Sequence, residues 1–135
     1  MKEFVLDATI ENIEFLTAQV DEMLEEALCS PRAQMQIDVA IDELFSNIAN
    51  YAYPGKIGKA TVQVDISEEN RTVTITFIDS GIQYDPLAKE DPDVTLSAEE
   101  RKIGGLGIFM VKKTMDDIKY SYENGNNILT INKKI

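Results

Sequence analysis

The sequence predicts a two-layer α/β sandwich, in which about three helices cover one face of a mostly antiparallel β-sheet. Segments with strand and helix periodicity follow one another in the order β-α-α-β-β-loop-α-β-β. Three of the connections between strands are short links or hairpins. Because helices and strands do not alternate one by one, a parallel dinucleotide-binding fold fits poorly. We expect residues 1–135 to form a single domain.

The first half of the chain reads as one strand followed by two helices. The strand is Glu3–Leu6, and an apolar stripe at helical spacing predicts a helix over Ile10–Leu28, with Thr9 as its N-terminal cap. A second helix is predicted from Pro31 to about Ala52, because proline is favoured in a first helical turn.

The second half reads as two pairs of strands separated by a loop and a helix. The loop has about 20 residues rich in Pro, Asp, Glu and Lys, and connections of this length are commonly functional. The predicted elements are strands Lys59–Ser67 and Arg71–Asp79, the loop Ser80–Lys102, a helix from Gly104 to about Met115, and strands Ile118–Glu123 and Asn127–Asn132.

Composition excludes several classes of function. The net charge is −11, from 24 acidic and 13 basic residues, and such a surface repels duplex nucleic acid and anionic membranes. With no histidine and one cysteine, Cys29, the chain is unsuited to zinc or haem sites and to catalysis that needs histidine. Neither an apolar run of about 20 residues nor a leader sequence is evident, so we expect a cytoplasmic protein.

Three polar side chains follow one edge of the second predicted helix. Glu43, Asn47 and Asn50 stand at positions i, i+4 and i+7 and therefore share a side of the helix. A carboxylate can accept a proton, and an asparagine oxygen is a hard ligand suited to Mg²⁺. An ordinary solvated helix flank remains the alternative for this stretch by itself.

A second motif ends an apolar strand. Asp79 is followed two residues later by Gly81, which places a carboxylate beside a sharply turning backbone. Such a carboxylate can accept a hydrogen bond from an exocyclic amine, for example adenine N6. The alternative is a plain strand-ending turn, which Asp-Ser-Gly also favours.

A third motif, Gly104-Gly105-Leu106-Gly107-Ile108, opens the last predicted helix. Glycines at a helix start let backbone N–H groups approach an anion such as phosphate. The motif is neither a Walker A loop nor a Rossmann fingerprint. By itself it is a weak signal.

Taken together, E-x-x-x-N, D-x-G and G-x-G in this order resemble the N, G1 and G2 boxes of the GHKL ATPase superfamily, which shares the Bergerat ATP-binding fold. The resemblance extends over nearly the whole chain. YDP after the D-x-G motif and the segment GGLGIFMVKKTMD make it most similar to the anti-sigma-factor serine kinases.

The resemblance implies roles for individual residues. Glu43 matches the general base and Asn47 the Mg²⁺ ligand that bridges to the nucleotide phosphates. Asp79 matches the residue that binds adenine, and Gly81 the glycine that lets the base lie close. Gly105 and Gly107 match the phosphate-contacting glycines, and their neighbours Gly104, Leu106 and Ile108 are also expected to bind the nucleotide. Residues from about 87 to 102 correspond to the ATP lid.

The chain departs from the family pattern at three places. Tyr51 stands where related kinases often carry a histidine. Ile103 occupies the place of a lid arginine, so Lys102 or Arg101 would reach the γ-phosphate only if the lid register shifts. Asn127 and its neighbour replace a threonine pair near the adenine, where asparagine can form similar hydrogen bonds.

Two functions follow from the resemblance. The first is an ATP- and Mg²⁺-dependent serine/threonine protein kinase that phosphorylates a small antagonist protein and regulates a sigma factor by binding it; the family suggests a homodimer. The second is a protein-interaction module gated by ATP, with little or no phosphoryl transfer. Because the chain has no histidine, it carries no phosphoaccepting histidine of its own. No direct contact with nucleic acid or membrane is expected.

Overall fold

The computed structural model describes residues 1–88 and 106–135, and over these ranges the predicted order of strands and helices is confirmed. A π-helical turn, Ile48–Ala52, continues the second helix, and a 3₁₀ turn, Pro86–Ala88, follows the third strand. No helix in this described part is long and apolar enough to cross a lipid bilayer. The elements are β1 (Lys2–Asp7), α1 (Glu11–Glu26), α2 (Pro31–Asn47), β2 (Lys59–Ser67), β3 (Thr72–Asp79), α3 (Leu106–Thr114), β4 (Asp117–Glu123) and β5 (Asn126–Lys134).

The strands form one antiparallel five-stranded sheet in the order β1-β2-β3-β5-β4, which confirms the predicted α/β sandwich. Alternate residues of β2 and β3, among them Val62 and Ile75, enter a common core with apolar residues of the helices. The other face is polar at its centre, where Thr74 Oγ1 donates to Asn132 Oδ1 at 2.5 Å. One face buried and one polar face is the usual arrangement of an antiparallel sheet.

The two long helices begin in different ways. Ser30 caps α2 by accepting a hydrogen bond from the Ala33 backbone N–H at 3.2 Å. The side-chain cap expected from Thr9 is wrong: α1 starts without a side-chain cap, and Thr9 instead offers its backbone carbonyl to the Asn12 N–H at 3.1 Å. The Asn12 side chain ties the helix start to β1 by donating to the Asp7 carbonyl at 2.8 Å.

Two carboxyl groups, Asp21 on α1 and Asp38 on α2, lie together between the helices. Each has one buried oxygen that meets no hydrogen-bond donor in the described part of the chain. Burial, a hydrogen bond with Asp21 and the negative charges of Asp21 and Glu25 together raise the pKa of Asp38 to about 8. The native protein therefore holds a proton that the unfolded chain, with an aspartate pKa of about 3.9, releases.

We expect Asp38→Asn to stabilise the protein at alkaline pH. Since the folded pKa lies above the unfolded value, wild-type stability falls as the pH rises from about 4 to about 8, and the neutral amide avoids this loss. The gain at pH 9 should be about 1–3 kcal/mol, less than the full shift implies because the carboxyl is partly solvated. Urea unfolding at pH 5 and pH 9 measures it. An equal effect of the substitution at both pH values would contradict this account.

Candidate active site

A pocket lies where the end of α2 meets the adjoining ends of β3 and β5. Its polar lining includes Asn47, Tyr51, Asp79, Tyr120 and Asn127, and most of the other lining residues are apolar. The pocket encloses about 50 Å³, far below the roughly 300–1,000 Å³ of ordinary ligand sites. Tyr51, which lines the pocket, is 58% exposed.

Asp79, at the end of β3, presents a fixed carboxylate to this pocket. It is only 7% exposed, and its Oδ1 accepts hydrogen bonds from the Gly81 backbone N–H at 3.0 Å and from Asn127 Nδ2 at 2.9 Å. In the described part of the chain no donor reaches Oδ2. Because the carboxyl lines the pocket, Oδ2 is the oxygen that remains to accept a hydrogen bond from a ligand amine.

Asn127 fixes Asp79 in this orientation. The two residues are directly opposite each other on β5 and β3. Asn127 Nδ2 donates to Asp79 and to the Ile82 carbonyl at 2.8 Å, while its Oδ1 accepts from the Tyr84 N–H at 3.0 Å and from the Tyr120 hydroxyl at 2.5 Å. All four hydrogen-bonding positions of the amide are thus taken. The direct contact with adenine expected for Asn127 would require breaking one of these bonds, so the geometry favours a positioning role.

Gly81 is required by packing at the end of the π-helical turn. A Cβ atom at this position would overlap the backbone carbonyl and the side chain of Ala52. The neighbouring Ile82 N–H donates to the same carbonyl at 3.0 Å. This close approach holds the segment after β3 against the end of the second helix.

The π-helical turn changes which residues of this helix reach the pocket. A π turn bonds residue i to i+5 and is wider than an α turn, so side chains beyond it rotate away from the positions that a regular helix predicts. Asn50 is exposed and does not line the pocket, whereas Tyr51 does. Of the predicted polar edge, Glu43 and Asn47 are the pair that the structure brings together.

Glu43 and Asn47 form a half-buried pair one helical turn apart. Asn47 Nδ2 donates to Glu43 Oε1 at 3.5 Å, which leaves Asn47 Oδ1 for another partner. Burial raises the pKa of Glu43; the hydrogen bond from Asn47 opposes this shift and the charge of Asp42 adds to it. A carboxylate with a raised pKa is a stronger proton acceptor.

The start of α3 packs directly against this pair. A Cβ atom at Gly107 would overlap the carboxyl group of Glu43, so the glycine lets the helix backbone approach the carboxylate. Leu106 is exposed and Ile108 is buried in the core, so any contact of these two with phosphate would use their backbone N–H groups. Lys102, Gly104 and Gly105 lie outside the described residues.

The predicted lid, from about 87 to 102, also lies outside the described residues except at its first two positions. These belong to the turn Pro86–Ala88, where the Leu87 N–H donates to Asp85 Oδ1 at 2.8 Å. The Leu87 side chain packs against the core. The start of the predicted lid is therefore held against the hydrophobic core.

Two tyrosines that sequence reasoning did not select also hold the site. The Tyr53 hydroxyl donates to the Lys59 carbonyl at 2.6 Å and accepts from the Ser80 N–H at 2.9 Å, so it links the π-helical turn to β2 and to the end of β3. Burial raises the pKa of Tyr120, which keeps its hydroxyl protonated as a donor to Asn127. Neither contact has a local sequence signal, because both partners are set by the fold.

The chain belongs to a family of ATPase domains: the family profile described as histidine kinase-like ATPase domain matches residues 6–133. Within that family it is similar to protein kinases. It is 31% identical over 98 residues to the serine-protein kinase RsbW of Listeria monocytogenes serovar 1/2a, a match that covers 69% of this chain and 61% of that protein. It is 27% identical over 103 residues to the serine/threonine-protein kinase BtrW of Bordetella bronchiseptica, covering 76% and 71%.

A solved structure agrees with the fold. The RsbU and RsbW domains of a Mycobacterium tuberculosis protein superpose with a TM-score of 0.68 at 18% identity, and the match covers 99% of this chain and 32% of that one. The chain thus spans less than two thirds of the first relative and about a third of this structure. Fold and family are thereby established.

Proposed function

We propose that this chain is an ATP-dependent serine/threonine protein kinase of the anti-sigma-factor type. The observation that carries the proposal is the convergence of three groups at one end of the sheet: the carboxylate of Asp79, the pair Glu43 and Asn47, and the helix start at Gly107. Asp79 supplies a hydrogen-bond acceptor for the nucleotide base. Glu43 supplies a proton acceptor and Asn47 a hard oxygen ligand for a metal ion, and the helix start supplies backbone N–H donors for phosphate.

Recognition of adenine would depend on Asp79. Its Oδ1 is occupied by two internal hydrogen bonds, so Oδ2 would accept a hydrogen bond from adenine N6. A base that carries a carbonyl at this position, such as hypoxanthine, would set two acceptors against each other. The site should therefore prefer ATP to ITP.

Phosphoryl transfer would use Glu43 as the general base. The hydroxyl oxygen of a serine or threonine forms a bond to the γ-phosphorus, the bond from that phosphorus to the β,γ-bridging oxygen breaks, and ADP leaves. Glu43 accepts the hydroxyl proton. Transfer of this kind needs chiefly positioning and neutralisation of charge. Backbone N–H donors at the start of α3 would help to hold the phosphates and offset their charge, whereas Glu43 would only accept the proton.

The residues present fit a Mg²⁺ ion. Asn47 Oδ1 takes part in no hydrogen bond within the described residues, and it is an oxygen donor of the kind this ion prefers. Mg²⁺ commonly takes only one or two ligands from the protein and completes its shell with water and phosphate oxygens. When bound, the ion would neutralise charge on the phosphates while Asn47 holds it beside Glu43.

The partners proposed are a small antagonist protein, as the phosphate acceptor, and a sigma factor regulated by binding. They are inferred from similarity to the RsbW kinases and from the motif resemblance. A homodimer is the assembly that the resemblance implies, and sedimentation equilibrium tests it. The net charge of −11 argues against direct binding of nucleic acid or an anionic membrane.

Calorimetric titration of ATP, with and without Mg²⁺ and beside ITP, is the experiment that tests this function, followed by a phosphorylation assay. We expect Mg²⁺-dependent binding with ATP preferred, and transfer of labelled γ-phosphate. Binding without any transfer, to water or to protein, would instead support the ATP-gated interaction module, a reading favoured by Tyr51 at the position of the family histidine. Absence of ATP binding would refute both.

A variant at Gly107 tests the contact between α3 and Glu43, the proposed general base. We expect Gly107→Ala to lower phosphoryl transfer by about 100-fold, because the added methyl group displaces the Glu43 carboxyl by about an ångström. The fold should survive, since the displaced group is the flexible end of a side chain and alanine is favoured over glycine in helices. Met110→Ala, at an exposed position of the same helix, is the control. Unchanged turnover in the Gly107 variant would contradict the assigned role of Glu43.

A further inference from the structure

A group of basic side chains lines a groove at the end of the helical layer opposite the candidate active site. The first turn of α2 supplies Arg32, the last turn of α3 supplies Lys113, and the end of β5 supplies Lys133 and Lys134. This cationic groove encloses about 390 Å³ and also includes Gln36. Four of the 13 basic residues of a chain with net charge −11 are thus gathered in one place.

None of these four cations forms a salt bridge within residues 1–88 and 106–135, although Lys113 Nζ lies 5.4 Å from the centre of the Phe109 ring. The salt bridges of the described chain join other groups, such as Lys59 to Asp7 and Lys119 to Asp117. Lys133 Nζ donates to the Thr114 carbonyl at 2.7 Å, which fixes it at the groove but leaves its charge unpaired. Asp116 is nearby in the chain, yet its carboxylate accepts the backbone N–H of Lys134 rather than the ammonium group.

The position of Arg32 is electrostatically unfavourable for the isolated helix. The first turn of a helix carries a partial positive charge that stabilises acidic residues there. α1 follows this preference with Glu11 and Glu14, whereas the first turn of α2 has no acidic residue and contains Arg32. The helix start therefore adds to the positive potential of the groove, and a local choice that opposes stability is typical of a functional surface.

We propose that the cationic groove binds an acidic segment of a partner protein, one that presents several aspartate or glutamate side chains. Unpaired cations within a negative surface attract carboxylates and repel basic surfaces. A long polyanion such as duplex nucleic acid would extend beyond the groove onto the acidic remainder of the protein. A short acidic segment meets only the positive region, which is why a protein segment is the occupant that fits.

The groove is separate from the candidate active site. Arg32 and Asn47 lie near opposite ends of α2, and fifteen residues of α-helix extend about 22 Å. An acidic segment can therefore bind while the nucleotide pocket is open. The inference does not depend on the proposed kinase function.

A fluorescently labelled glutamate-rich decapeptide tests the proposal by anisotropy at 50 mM and 300 mM salt, with backbone NMR shifts to locate the site. We expect saturable binding at low salt, a weakening of at least about tenfold at high salt, and shifts at the groove. Lys113→Glu combined with Lys134→Glu should weaken binding at least about tenfold. Lys2→Glu combined with Lys56→Glu changes the net charge equally and should bind as wild type does. Circular dichroism checks that both variants fold.

Several results would overturn the inference. Equal binding by the two double variants, shifts outside the groove, or no saturable binding at low salt would each do so. A single-stranded oligonucleotide of matched charge that binds the groove more tightly than the peptide would assign it to nucleic acid. Self-association lost only in the groove variant, without peptide binding, would make a second copy of the chain the occupant.

Discussion

Asp79→Asn should weaken ATP binding by about 100-fold while leaving the fold intact. If the new amide keeps its oxygen towards the Gly81 N–H and Asn127 Nδ2, its NH₂ group enters the pocket and opposes the adenine amine. If the amide turns over, two buried internal hydrogen bonds are lost. Leaving buried donors unpaired costs about 1–3 kcal/mol each, so both arrangements are strongly unfavourable for ATP.

The preference between ATP and ITP tests the role of Asp79 more specifically than a loss of ATP affinity does. The asparagine NH₂ group can donate to the O6 atom of hypoxanthine, so the variant should lose the preference for ATP over ITP or reverse it. Calorimetric titration of both nucleotides measures this. Asp65→Asn, which removes an exposed carboxylate on β2 outside the pocket lining, is the matched control. Wild-type ATP affinity in the Asp79 variant would show that the base binds elsewhere.

Glu43→Gln should lower phosphoryl transfer by about 10²- to 10⁴-fold with a change in ATP affinity below about threefold. The amide oxygen of glutamine can still accept the hydrogen bond from Asn47, so geometry is retained while the proton acceptor is removed. Release of labelled phosphate, with water as acceptor, provides the assay before a protein substrate is known. A comparable rate in the variant would exclude Glu43 as the base.

The pH profile supplies a second readout of the same group. Glu43 acts when deprotonated, and burial raises its pKa, so the wild-type rate should fall on the acidic side at a pH above the usual glutamate value of about 4.3. Asp42→Asn removes a negative charge that raises this pKa, so it should move the acidic limb to lower pH and leave the rate at pH 8 unchanged. The acidic limb should be absent from the residual activity of Glu43→Gln.

The sequence by itself determined the element order and the identity of the site motifs, because both depend on local patterns. Alternation of apolar residues gave β2 the bounds Lys59–Ser67 that the structure shows. Spacing along one helix was sufficient to bring Glu43 and Asn47 together, since residues four apart share a helix face. The place of Pro31 at the start of α2 follows from an equally local rule.

Only the tertiary structure decided how the motifs meet. Asn127 holds Asp79 because the register of β3 against β5 sets them opposite each other, 48 residues apart in the chain. The contact of Gly107 with Glu43 depends on how α3 packs against α2. Strand register and helix packing arise from the summed burial of the whole core, which no local pattern encodes.

For the same reason, the sequence alone did not predict the cationic groove. Its basic residues come from three separate elements, and in the sequence they stand among many acidic residues that give a negative chain. Folding brings the start of α2, the end of α3 and the end of β5 to one edge. Residues close in sequence therefore define the local chemistry of each motif, whereas contacts between distant side chains form only when the sheet and helices pack.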